Sequence, residues 1–378
     1  MSHTLKFISE ELISRTKKFI EEMIRDLRPY AKKIRESTNA FKATFTDGSF
    51  VLSERRGAGI ALFSSVSIKT EIKDTIKILT KEMINPSETL FVILPKFALR
   101  TRASTIMRAL EYITTIKLCD DVKYAFLDGS YLTTLLLPFS VISSTFYDTT
   151  SSIQTDEEFS SFINFLEELS TIVSSILRSI KISSLSFENL IEIYYNAAER
   201  FLDLSGKFRR DLMIPLQNYS FIFLEQNLTA LLLAELINRG KKLGFSPIWI
   251  SKDSESRILA KEKGITGFSN DLTIMDFVLK KGEYIVLSDV ITLPPVSKEK
   301  VTVDDLRKIS RRTVYILLPE IANRIYDKFS EYDIIYAKFG DYSLQITFPR
   351  NLADPFEIVS DISRISYQRG YPEPMILV

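Results

Sequence analysis

One short pattern occurs twice and decides the reading: FTDGSF at 45–50 and FLDGSY at 126–131. Each copy follows a run of β-branched and aromatic residues and places Asp-Gly-Ser before a further aromatic. Under strand alternation Phe41, Ala43, Phe45 and Asp47 share one face of the first strand, and Tyr124, Phe126 and Asp128 share one face of the second. Each aspartate therefore belongs to an apolar face, where an unpaired charge is costly. Taken singly, Asp-Gly is a turn former at a strand end. Taken together, two inward carboxylates on adjacent strands repel each other unless a divalent cation lies between them.

Outward from these two strands the chain reads as follows. Residues 41–53 and 57–70 form an antiparallel pair around a link ending at Gly57, and 88–97 is a buried strand. A helix at 101–117 precedes the second Asp-Gly-Ser strand, 122–136. Upstream, 4–36 is one long helix with Ile8, Leu12, Phe19, Ile20, Met23 and Leu27 near helical spacing. Residues 151–238 carry only helical patterns. Strand chemistry resumes at Pro247, in SPIWISKDS, with a helix from Ser254 to about Lys263. Further strands are expected at 282–291, 312–320, 333–340 and 342–350, then a helix at 355–366 and the tail YQRGYPEPMILV. Strands, a helical block and strands again suggest one α/β domain interrupted by an insertion. Its parts are an N-terminal helix (1–36), a first half (37–150), a helical insertion (151–238) and a second half (239–378).

Composition narrows the chemistry. The 378 residues hold 49 Lys+Arg against 48 Asp+Glu, a net charge of +1, so a uniformly basic nucleic-acid binder is disfavoured while a local basic channel stays open. A 45% hydrophobic and 11% aromatic content supports a buried core. The single cysteine, Cys119, excludes an intrachain disulfide and suggests a reducing compartment. The single histidine, His3, removes Ser-His-Asp hydrolysis, the His-Glu metalloprotease motif and His-cage metal sites. Charges in the first 15 residues exclude a signal-peptide core, and the low-charge stretch Leu132–Thr155, broken by Pro138, is a poor membrane span. The chain reads as soluble and cytoplasmic, with no membrane partner.

A third acid, Glu111, falls beside the Ile106–Leu110–Ile113 stripe of the helix at 101–117. Read alone it is a solvated helix-edge glutamate. In order, however, three strands, a helix bearing Glu and a fourth strand bearing Asp resemble the first half of an RNase H-like fold. In that fold, strand 1, helix A and strand 4 supply acids around divalent metal. The fold class expected is therefore α/β, an RNase H-like mixed sheet with flanking helices and a large helical insertion. Hard oxygen ligands suit Mg²⁺ or Mn²⁺, and paired ions can hydrolyse a phosphodiester without a histidine base.

The first DGS strand, the Glu-bearing helix, the LDGS strand, SKDS (251–254), IIYAKFGDYSLQITFPR (334–350) and the terminal RGYPEP (369–374) together resemble the NurA family of archaeal DNA-end nucleases. The resemblance runs discontinuously from about residue 40 to the end. It implies Asp47, Glu111 and Asp128 as metal ligands and Tyr371 as an active-site tyrosine that orients or polarises the phosphate. The implied activity is Mn²⁺- or Mg²⁺-dependent hydrolysis of DNA, as a 5′–3′ exonuclease or a single-strand endonuclease, in end resection and recombinational repair. It also implies a homodimer, a HerA-type hexameric translocase and an archaeal break-processing ATPase–nuclease complex as partners. The family pattern has a histidine eight positions beyond its tyrosine, and the sequence ends at Val378. The alternative is thus a catalytically weak or silent paralogue that binds DNA or docks on the translocase. A carboxylate-pair glycosidase is a third reading, with Trp249 as the only tryptophan and no paired-Trp sugar platform.

Around such a site Lys252 and Ser254 are candidate DNA contacts, with Asp253 a helix N-cap or a fourth acid. The basic pairs Arg55 and Arg56, Arg100 and Arg102, Lys241 and Lys242, and Arg311 and Arg312 are candidate phosphate contacts or solvated surface. The apolar run LTALLLAELI (228–237) is a subunit interface or internal packing.

Overall fold

The apolar alternation of Phe41, Ala43 and Phe45 is realised in a 14-residue strand, β2 (Phe41–Glu54), in a computed structural model that describes residues 10–84, 90–129, 153–265, 270–293, 318–329, 331–366 and 370–378. It forms a hairpin with β3 (Gly59–Ile72), which in turn pairs antiparallel with β4 (Ile76–Ile84). On its other side β2 runs parallel to β6 (Tyr124–Asp128), and β6 runs parallel to β7 (Ser246–Ser251). The order β4-β3-β2-β6-β7, three antiparallel strands followed by parallel neighbours, is an RNase H-like sheet. Antiparallel pairing then continues from β7 through β10 (Leu344–Pro349), β9 (Tyr332–Lys338) and β8 (Glu283–Val286) to β1 (Lys32–Lys33), and the short β5 (Phe91–Ile93) pairs with β3, making ten strands among the described residues.

Two apolar layers follow from the period-two alternation. One face of the sheet carries Ala61, Phe63, Ala125, Leu127 and Trp249 against helix α2 (Leu99–Leu118) and the inserted helices. The opposite face carries Phe41, Ala43, Phe45, Tyr124, Phe126, Ile248 and Ile250 against Ile358, Val359 and Ile362 of a C-terminal helix, Pro355–Ile365. Aspartates 47 and 128 lie on this second face.

The structure departs from the sequence expectations at several elements. The N-terminal helix, α1 (Glu10–Leu27), does not extend to residue 36: Pro29, lacking an N–H, sits in a 3-10 turn, and the chain then joins the sheet as β1. The long third strand is β4, with a mostly exposed pattern that hid it, while the expected strand at 88–97 contributes only Phe91–Ile93. The expected strand at 312–320 lies largely outside the described residues, as do residues 130–136 of the second Asp-Gly-Ser strand. The helix expected from Ser254 is the five-residue Ile258–Glu262, and its N-cap is Arg257, not Asp253. Asp271 accepts from the Leu259 and Ala260 N–H groups of that helix at 3.0 and 2.9 Å.

The stretch 151–238 is helical where described: α3 (Asp156–Ser179), α4 (Phe187–Ser205) and most of α5 (Arg210–Leu243). By length and composition α5 would suit a membrane, but 94% of its apolar window is buried inside the structure. It is a core helix. The apolar run 228–237 is therefore largely internal packing against α2.

Arg102 is corrected as a DNA contact. It is 2% exposed and grips Glu225 of α5 through two donors, Nε to Oε2 at 2.9 Å and Nη2 to Oε1 at 2.6 Å. Its remaining N–H groups reach the Pro95 carbonyl at 2.7 Å and the Tyr194 hydroxyl at 2.6 Å. The guanidinium is thereby fully satisfied and ties α4 and α5 to the start of α2. Arg102→Ala leaves Glu225 buried and unpaired, and is expected to lower the unfolding free energy by ~3–5 kcal/mol in a urea melt. A paired Arg102→Met/Glu225→Leu change should recover most of that loss in the same melt.

Candidate active site

Parallel pairing aligns Phe45 with Phe126, whose rings stack with centroids 5.0 Å apart. Two residues further along each strand stand Asp47 and Asp128, on neighbours that in a sheet are about 4.8 Å apart. The two carboxylates are thus presented side by side at the edge of an apolar face. Asp47 lies well inside β2, opposite Val66, so the first Asp-Gly is no turn. The second ends its strand: Gly129 follows β6 with φ +97, a conformation that favours glycine, and its N–H donates to the Ile250 carbonyl at 2.9 Å.

Glu111 arrives from the opposite side, on α2. A row of small hydroxyl side chains seats that helix: Thr115 donates to Thr46 at 2.8 Å, Thr46 to Ser67 at 2.8 Å, and Ser65 pairs with Thr114 at 2.9 Å. Glu111 is 4% exposed, not the solvated edge residue that helix geometry alone suggests. The Gly48 N–H donates to Asp47 Oδ1 at 2.7 Å and also favours the ionised Glu111.

Tyr371 closes the arrangement. Gly370, at φ +93, lets the tail pack on the end of β9, since a Cβ there would lie 2.5 Å from the Gly340 nitrogen. The Tyr371 hydroxyl then donates to Asp128 Oδ1 at 2.5 Å, and Lys252 Nζ stands 5.2 Å from the centre of its ring. Burial first, and then the Asp128 charge, raise the Tyr371 pKa, so the phenol stays a donor.

The electrostatics record crowded acids. Burial pushes Glu111 from its ordinary 4.5 up to about 8; Arg108 opposes the shift, while Asp47 and Asp128 add to it. Asp47 is also raised, by burial and then by Asp128, with the Gly48 N–H and Lys252 pulling the other way. Among the described residues no three acidic, His or Cys side chains are closed around one point as a finished cation cage. The donor set nevertheless fits a hard divalent cation: three carboxylates from three elements, two of them, Asp47 and Glu111, held toward neutrality by burial first and then by neighbouring acid charge. Asp47, Glu111 and Asp128 are the residues that would hold it.

Of the other sequence candidates, Lys252 adjoins the site. Ser254 does not serve as a surface contact: it is 7% exposed and its hydroxyl accepts from the Ser256 N–H at 3.2 Å. Arg55 and Arg56 form the exposed tip of the β2–β3 hairpin, and Arg100, Lys241 and Lys242 are exposed. Arg311 and Arg312 lie outside the described residues. Sequence reading missed Arg108, one helical turn before Glu111, a spacing that would have signalled it.

An RNase H-like sheet carrying clustered acids at β2, α2 and β6 defines a class of α/β protein with a carboxylate centre. The NurA domain model matches residues 41–378, and the chain belongs to the NurA family. Among solved structures, a NurA bound to dAMP and manganese is 15% identical, with a TM-score of 0.54 and coverage of 98% of this chain and 92% of that one. Another NurA structure is 14% identical, with a TM-score of 0.53 and coverage of 97% and 92%. Both likenesses are of fold. No curated protein matches the chain.

Proton linkage tests the centre. The folded, metal-free chain keeps the Glu111 proton up to about 8, whereas an unfolded carboxylate releases it near 4.5. Its stability therefore falls as pH rises across that interval, and Glu111→Gln should flatten the decline in thermal melts. Mn²⁺ binding below pH 8 should release a proton, read by calorimetry in buffers of different ionisation enthalpy.

Proposed function

We propose that this NurA-family chain hydrolyses phosphodiester bonds in DNA, with a divalent cation, Mn²⁺ or Mg²⁺, held by Asp47, Glu111 and Asp128. The observation that carries the reading is the meeting of Asp47 and Asp128 on paired strands with Tyr371 hydrogen-bonded to Asp128. Family membership and a solved NurA bound to dAMP and manganese support it. When bound, the cation supplies Lewis acidity toward a phosphate oxygen and lowers the pKa of a water. Tyr371 donates its single O–H proton to Asp128 and so orients that carboxylate. Lys252, beside the Tyr371 ring, offers charge to the phosphate. The exposed Arg55 and Arg56 at the hairpin tip are further phosphate contacts in this reading.

In this reading the chain acts on single strands or exposed duplex ends, by 5′–3′ exonucleolytic or single-strand endonucleolytic cleavage, during end resection and recombinational repair. A homodimer and a HerA-type translocase are the partners we propose for it.

Asp47→Ala and Asp128→Ala are each expected to abolish Mn²⁺-dependent degradation of end-labelled DNA. Tyr371→Phe should lower activity by about ten- to a hundredfold, the scale of a lost hydrogen-bond support to a metal-ligand carboxylate. Lys252→Ala should chiefly raise KM and reduce the salt dependence of DNA binding. Undiminished turnover in both aspartate variants would overturn the assignment.

A further inference from the structure

A glycine inside a long strand costs about 0.5–1 kcal/mol relative to alanine, so its presence there asks for a reason. Gly48 sits within β2, paired with Ser65 of β3. Its backbone does not demand glycine, because it is not among the residues with positive φ. The reason is space on the α2 side of the sheet. A Cβ on residue 48 would stand 2.6 Å from Glu111 Oε1, 3.0 Å from Glu111 Cγ and 3.0 Å from Met107 Cγ. Real Cβ atoms do not come as close as the first of these. Interior glycines of strands mark such close approaches.

The hydroxyl row of Thr46, Ser67, Thr115, Ser65 and Thr114 fixes the helix against the sheet and leaves α2 no freedom to retreat. Glu111 then projects from that seated helix onto the backbone of residue 48, where only the missing side chain admits it. The carboxylate so placed comes within the electrostatic reach of Asp47 and Asp128, which point from the sheet's other face. Gly48 is thus the aperture through which the acid of one layer meets the acids of the other.

We infer that Gly48 is a positioning residue of the metal centre: the absence of its side chain admits the Glu111 carboxylate toward Asp47 and Asp128, the acids with which it would hold the cation. This rests on the metal-site reading above. The group that must yield to a Cβ is the end of a flexible side chain rather than backbone, so alanine displaces the carboxylate and leaves the sheet paired.

The test is Mn²⁺ binding to the full-length chain by calorimetry, beside metal-free melting, for wild type, Gly48→Ala, Met107→Ala and the Gly48→Ala/Met107→Ala pair. Gly48→Ala should remain folded and lose about ten- to a hundredfold in Mn²⁺ affinity, the scale of a disturbed support to a metal ligand. Met107→Ala should bind within about twofold of wild type, because it removes no ligand and no support of one. The double variant, relieved of the Met107 contact, secures a folded protein in which the Glu111 clash persists, and its affinity should stay low. Adding Gly48→Ala to Glu111→Gln should cost nothing further, since both act through one carboxylate. Wild-type affinity in Gly48→Ala, its return in the double variant, or additivity with Glu111→Gln would each overturn the role of Gly48. A wild-type chain that binds no Mn²⁺ would overturn the metal centre itself, and Gly48's role with it.

Discussion

The parallel pairing of β2 with β6 governs the rest of the site. It stacks Phe45 on Phe126 and, two residues on, sets two aspartates on adjacent strands of one face. Like charges so close, partly withdrawn from water, are unfavourable unless protonated or matched by a cation. The phenol of Tyr371, the ammonium of Lys252 and the N–H of Gly48 each answer part of that demand. Burial first, and then neighbouring acid charge, still raises the pKa of Asp47 and of Glu111. A hard cation is the species whose charge would complete the balance.

The two faces of the sheet divide the labour. One is packed against α2, α5 and the other inserted helices, and there the buried Arg102–Glu225 pair locks the insertion to the helix that carries Glu111. Removing one partner of such a pair leaves the other charge buried and unpaired. The other face receives the C-terminal helix and the tail, which delivers Tyr371. The site lies where the two layers meet, and its acids come from both.

Much of this was legible beforehand for a physical reason: alternation and helical periodicity are local. They placed β2, β3, α2, β6 and β7 and the apolar faces of the first Asp-Gly-Ser strand correctly. They failed where the local signal was weak. Strand β4 exposes most of its residues and so lacks a clean apolar stripe. The basic pair at 100 and 102 was split by burial: Arg100 faces solvent, and Arg102 meets a glutamate 123 residues away. Asp253 resembled a cap only because a helix was expected to begin beside it.

By itself the sequence determined the chemistry available: clustered acids, one histidine near the N-terminus, and strand faces whose residues alternate by covalent geometry. It also carried the family motifs in order. Only the tertiary structure decided that Glu111 is buried rather than solvated, that Gly48 is a space rather than a turn, and that Tyr371 lies against Asp128, 243 residues distant. Those outcomes depend on which elements pack together and how closely. Burial and proximity are properties of the packed layers, and no periodicity in the chain encodes them.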